Sequence, residues 1–92
     1  MITINEAEFM KFMTCFEEAP LPRNRGLIKK VLNPRQGYLV IVDDTDKGYC
    51  LGRLSSITDK TYSLENNGHF QEFPYSSLKA LYIPPHNGKG FA

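Results

Sequence analysis

The chain has no tryptophan, two cysteines and two histidines, and its formal net charge is only +1. With so few thiols and imidazoles there is no disulfide framework. Nor is there a metal-ligand spacing, because His69 and His86 have no Cys or carboxylate partner at a distance that metal sites use. Cys50 and His69 are the one pair with the form of a nucleophile and a base, and no third group stands ready to orient them. Catalytic residues, metal ligands and cofactors are therefore all expected to be absent, and the protein is not expected to be an enzyme. No apolar run approaches the roughly 20 residues needed to span a bilayer. The start, Met1-Ile2-Thr3-Ile4-Asn5-Glu6, lacks the basic, apolar and small-residue parts of a secretory signal, so a cytoplasmic protein without membrane contact is expected.

What is present describes one small domain. At 92 residues the chain can bury a core and fold alone with little spare stability, so association of identical copies would be a natural supplement. Its hydrophobic share of 41% separates it from disordered chains. Cys15 and Cys50 fall in apolar surroundings, on an expected helix and an expected strand, and read as small core residues.

Asn5 and Glu8 have the spacing of a capping box, with Thr3 and Glu6 as an alternative register. Phe9, Phe12, Met13 and Phe16 then recur at helical spacing, which predicts a helix from about Asn5 to Glu18 that Pro20 and Pro22 stop. Asn24 can cap a second, shorter helix carrying Leu27, Ile28, Val31 and Leu32 on one side, although a strand over 24–32 is the alternative. After the turn-rich Asn33-Pro34-Arg35-Gln36-Gly37, the pattern changes to extended.

Tyr38 to Val42 reads as a strand buried on both faces. Asp43, Asp44 and Asp46 have the carboxylate spacing of a cation loop without its downstream bidentate acid, so a solvated hairpin loop is expected there. Tyr49 to Ile57 is a second strand whose apolar phase changes from Tyr49 and Leu51 to Leu54, with Gly52 as the expected bulge. Thr61 to Glu65 alternates cleanly, with Tyr62 and Leu64 inward. Asn67-Gly68 predicts a type I′ reversal that pairs Asn66 with His69, Leu64 with Gln71 and Tyr62 with Phe73. Pro74 ends the fourth strand, Ser76-Ser77 forms a tight turn, and Lys79 to Ile83 is a fifth. Pro84-Pro85 opens an expected flexible tail over 84–92.

Five strands with a single tight turn before the last resemble the small β-barrels of the Sm-like and Src-homology-type domains. Leu51-Gly52-Arg53-Leu54-Ser55-Ser56-Ile57 is similar to the first Sm signature, in which Gly and Leu bend the second strand. Phe73-Pro74-Tyr75-Ser76-Ser77-Leu78-Lys79-Ala80-Leu81 resembles the Pro-containing turn before the last strand of a Src-homology-type barrel. Thr58 and Tyr62 stand where Sm proteins carry the Asp and Asn of their base-binding loop, so the resemblance implies architecture rather than inherited RNA recognition. The expected fold is α+β: one N-terminal helix, or two, packed on a five-stranded, mostly antiparallel small β-barrel. One domain over 1–83 is expected, with a helical segment at 1–33 and the barrel at 38–83.

Charge is unevenly spread. Residues 1–18 carry a net −3, from Glu6, Glu8, Glu17 and Glu18 against Lys11, whereas 19–42 hold Arg23, Arg25, Lys29, Lys30 and Arg35 with no acid. Those five are the candidate site, a footprint for an anionic partner such as nucleic acid if they share one face. Tyr38, Tyr49, Tyr75 and Phe91 either stack bases beside such a patch or fill the core. The leading expectation is a non-enzymatic binding module that presents this basic segment. The alternative is a protein-interaction or assembly subunit that uses an exposed strand edge or the Phe9, Phe12 and Phe16 helix face.

Overall fold

A computed structural model describes residues 2–85. The order of elements is α1 (Glu6–Phe12), β1 (Glu17–Ala19), α2 (Ile28–Leu32), β2 (Leu39–Asp44), β3 (Gly48–Ile57), β4 (Thr61–Asn66), β5 (His69–Pro74) and β6 (Leu78–Ile83), with 3₁₀ turns at Arg25–Leu27, Asn33–Arg35 and Tyr75–Ser77. The fold is α+β, with two helices and one antiparallel sheet ordered β1-β6-β2-β3-β4-β5. This sheet is not closed: β1 lies at one edge and β5 at the other.

The expected count of five strands becomes six, because Glu17–Ala19 leaves the helical segment and pairs with β6. Helix α1 is accordingly shorter than expected. Its capping box forms, with Glu8 N–H donating to Asn5 Oδ1 at 2.8 Å and Asn5 N–H to Glu8 Oε1 at 3.0 Å. At the far end the Thr14 hydroxyl donates to the Lys11 carbonyl and Cys15 N–H tightens onto the Phe12 carbonyl. Local side-chain bonding of this kind competes with helix propagation. Cys15 is thereby turned out to solvent, against expectation, while Cys50 is buried. Over 24–32 the helical alternative holds: Asn24 Oδ1 accepts from Gly26 N–H and α2 follows.

Strand β2 is enclosed on both sides. Val40 and Val42 belong to the main core with Ile28, Leu32, Cys50, Leu54, Tyr62, Leu64, Phe73, Leu78 and Leu81. Ile41 points the other way and meets Phe9 and Phe16, with Leu39, Tyr49, Leu51 and Tyr82 packed around them. Helix α1 therefore lies on the outer face of β6, β2 and β3, where Phe9 stacks on Tyr49 with centroids 3.9 Å apart. The leading residues pair along β3 beyond the end of β4: Ile4 N–H donates to the Tyr49 carbonyl and Leu51 N–H to the Ile2 carbonyl. Pro84 is buried in the fold, and of the expected tail over 84–92 the residues 86–92 lie outside the described ones.

Gly52 is not a bulge. It pairs in regular register with Val40, and the irregularity in β3 falls between Leu54 and Ile57 in the ladder with β4. What Gly52 permits is close approach: an added Cβ would lie 2.9 Å from the Glu65 carbonyl oxygen and 3.0 Å from the Leu64 Cβ. The obstacle is backbone, so it cannot swing away. Gly52→Ala should lower stability by roughly 1–3 kcal/mol in urea unfolding, and an unchanged midpoint would contradict this account of the β3–β4 contact.

Candidate functional site

The β4–β5 hairpin forms as its turn residues dictate. Asn67 (φ 53°) and Gly68 (φ 81°) both take positive φ, the geometry of a two-residue reversal whose twist suits the flanking strands. The register is Asn66 with His69, Leu64 with Gln71 and Tyr62 with Phe73, and the Tyr62 and Phe73 rings stack at 5.2 Å. In such a hairpin the residues flanking the turn are hydrogen-bonded partners, and alternate pairs follow suit. Tyr75 N–H donating to the Lys60 carbonyl at 3.1 Å continues the same phase. The backbone groups of Phe70, Glu72 and Pro74 consequently point away from β4, along the free edge of the sheet.

That edge is not uniformly open. Lys47, in the β2–β3 turn, donates from Nζ to the Glu72 carbonyl at 3.1 Å and lies 4.7 Å from the Phe73 ring centroid. Pro74 has no N–H to offer. Phe70 remains, 66% exposed, its N–H and carbonyl directed outward by the register. Beside it lies a cleft of about 500 Å³ walled by Gln36, Gly37, Arg53, Ser55 and Glu65. The polar walls are braced within the chain: Arg53 Nη1 donates to the Gly37 carbonyl, Gln36 Nε2 to the Ser55 carbonyl, and Glu65 Oε2 accepts from Gly68 N–H. The opposite edge, β1, is three residues long, bears exposed Glu17 and Glu18 and runs into Pro20, features that discourage strand pairing.

The five basic residues divide. Arg25 donates to the Leu78 carbonyl, and Arg35 Nη1 to the Val31 carbonyl at 2.7 Å. Lys29 Nζ bonds Asp59 at 2.6 Å, which holds the Asp59 carboxyl below the usual carboxylate range. Arg23 and Lys30 are exposed. Three of the five are thus bonded within the fold, Arg25 to β6, Arg35 to α2 and Lys29 to the β3–β4 turn. Among the tyrosines, Tyr75 is buried, Tyr49 is stacked under Phe9, and Tyr38 lines a second cleft with Pro34, Arg35 and Ile83. Phe91 and His86 lie outside the described residues. The Phe9, Phe12 and Phe16 face is consumed by packing on the chain's own sheet.

Cys50 is buried in β3 and His69 is exposed at the hairpin. The expected solvated loop at Asp43 to Asp46 is corrected in one respect, because Asp44 is only 2% exposed and accepts hydrogen bonds from Ser77 Oγ and from the N–H groups of Asp46 and Lys47. Among the described residues no group of three or more His, Cys, Asp or Glu side chains could hold a metal ion, and no helix is long and apolar enough to cross a membrane. The sequence pattern does not single out Phe70, although the Asn67-Gly68 register sets it opposite Glu65, on the face away from Phe73. Comparison of the chain with protein families, with curated proteins and with solved structures returned no match.

Burial also pushes the Cys50 thiol pKa up, with Asp44 adding to the shift and a hydrogen bond to Thr3 opposing it. Reaction with a thiol reagent at neutral pH should therefore label Cys15 rapidly and Cys50 only on unfolding. Two equally fast thiols in the folded protein would contradict the placement of β3.

Proposed function

We propose that the protein is a non-enzymatic interaction module, of small-barrel architecture, that takes an extended protein segment along the β5 edge. The observation that carries this reading is Phe70, an exposed aromatic on a strand edge whose own N–H and carbonyl face outward. Strand addition draws affinity from such main-chain groups and specificity from adjoining side-chain pockets, and the cleft beside Phe70 offers one. The barrel architecture is supported by the β2 to β5 meander, by β6 returning to β2, and by Lys47 reaching from the β2–β3 turn to β5. Free Cys15 and Cys50 suit a reducing compartment such as the cytoplasm.

A second reading keeps the anionic partner, carried by Arg23 and Lys30 as exposed cations. One experiment separates the two. A displayed library of short random peptides is selected on the protein, and mixed oligonucleotides are titrated in parallel. Phe70→Pro removes the outward N–H while sparing the β4 ladder, which does not use it. Selected peptides should lose roughly tenfold or more in affinity on Phe70→Pro and depend little on salt. No enriched peptide, together with oligonucleotide binding that weakens with salt and with loss of Arg23 and Lys30, would overturn the edge reading in favour of the second.

A further inference from the structure

The β5 edge has a self-complementary centre. Phe70 is the one residue along it whose outward N–H and carbonyl are both left unheld, because the next outward carbonyl, that of Glu72, is held by Lys47, and Pro74 lacks a donor. A partner strand must therefore satisfy one N–H and one carbonyl on the same residue. In an antiparallel ladder, the two opposite residues of a hydrogen-bonded pair exchange both bonds. The same residue of an identical chain, related by a two-fold axis, supplies that pair of groups.

We infer that the occupant of this edge is a second copy of the chain, its β5 antiparallel to the first, with Phe70 opposite the partner's Phe70. This inference rests on the edge reading above and names its partner. In this register Gln71 faces the partner's His69 and Glu72 faces the partner's Gly68, so no like charges oppose one another. The two aromatic rings meet on the outer face as a cross-strand pair, each covering apolar surface that is exposed in a single copy. The neighbouring registers are worse. Centring on Gln71 sets each Glu72 against an aromatic ring and needs the Glu72 carbonyl that Lys47 occupies. Centring on Glu72 opposes two carboxylates as well. Edge β1 is closed to the same role by Glu17, Glu18 and Pro20. A contact centred on one residue pair is small, and it makes a weak, reversible dimer rather than an obligate one.

The register is directly testable. Opposite Cα atoms in a hydrogen-bonded antiparallel pair stand about 5.5 Å apart, inside the range a disulfide spans. In the proposed register the two Glu72 positions are offset by four residues, roughly 13 Å along the strands, and cannot be bridged. In a Cys15→Ser background, Phe70→Cys should form an intermolecular disulfide roughly tenfold or more faster than Glu72→Cys. Because Phe70→Cys removes the aromatic pair itself, sedimentation of the unaltered chain is the companion measurement: its mass should rise with concentration, and Phe70→Pro should abolish the rise. Equal rates for the two thiol variants, faster bridging through Glu72→Cys, or a concentration-independent monomer mass would overturn the inference. Should the chain stay monomeric while selected peptides still bind in a Phe70-dependent way, the second copy is excluded and the edge reading stands. Loss of both signals removes both.

Discussion

A buried carboxyl group fastens the β2–β3 turn to the turn that precedes β6. Asp44, the last residue of β2, accepts hydrogen bonds from the Ser77 hydroxyl and from the N–H groups of Asp46 and Lys47, the latter two at 3.0 Å. Thr45 completes the clasp, giving both its N–H and its hydroxyl to the Ser77 carbonyl at 2.8 and 2.7 Å. A polar side chain this deeply placed is tolerable only when its oxygens are partnered, and here three donors partner them. The clasp joins the β2–β3 turn to the 3₁₀ turn before β6, at the point where the β2–β6 ladder shifts register between Asp43 and Asp44. It also aims Lys47 at β5. The interaction that fastens the turn thus sets how much of the distant strand edge stays uncovered.

The sheet is used on both faces, which decides what remains for a partner. On the inner face, α2 and the leading residues fill the main core; on the outer face, α1 spends its phenylalanines on Ile41, Tyr49 and Tyr82. Basic side chains that a sequence pattern reads as free are committed by the same economy of space, with Arg25 fastened to β6, Lys29 to the β3–β4 turn and Arg35 to α2. Large apolar residues exposed among the described ones are Met10, Leu27 and Phe70, and Phe70 is the one on a strand edge.

Local chemistry made parts of this legible from residues alone. The Asn5 and Glu8 cap, the Asn67-Gly68 reversal with its full β4–β5 register, and a β2 enclosed on both sides each follow from side-chain spacing within a few positions. Contacts made across the chain did not. Glu17–Ala19 has the composition of a helix end and becomes a strand because β6 offers it a free ladder. Asp44 has the look of a solvated loop residue until Ser77, thirty-three positions away, closes over it. Gly52 has the mark of a bulge but serves the approach of β4. For the candidate site the balance is similar: the hairpin phase already implied that Phe70 faces outward, whereas Lys47 lying on the Glu72 carbonyl depends on the curl of the whole sheet.

The most direct test of the central claim is a double-mutant cycle of Asp44→Ala and Ser77→Ala in equilibrium urea unfolding. If the clasp fastens the fold as described, the two substitutions share one interaction, and their costs should be non-additive by about 1–3 kcal/mol. Costs that simply add would show that Asp44 and Ser77 stabilise the protein independently, and the role assigned to the clasp would be wrong.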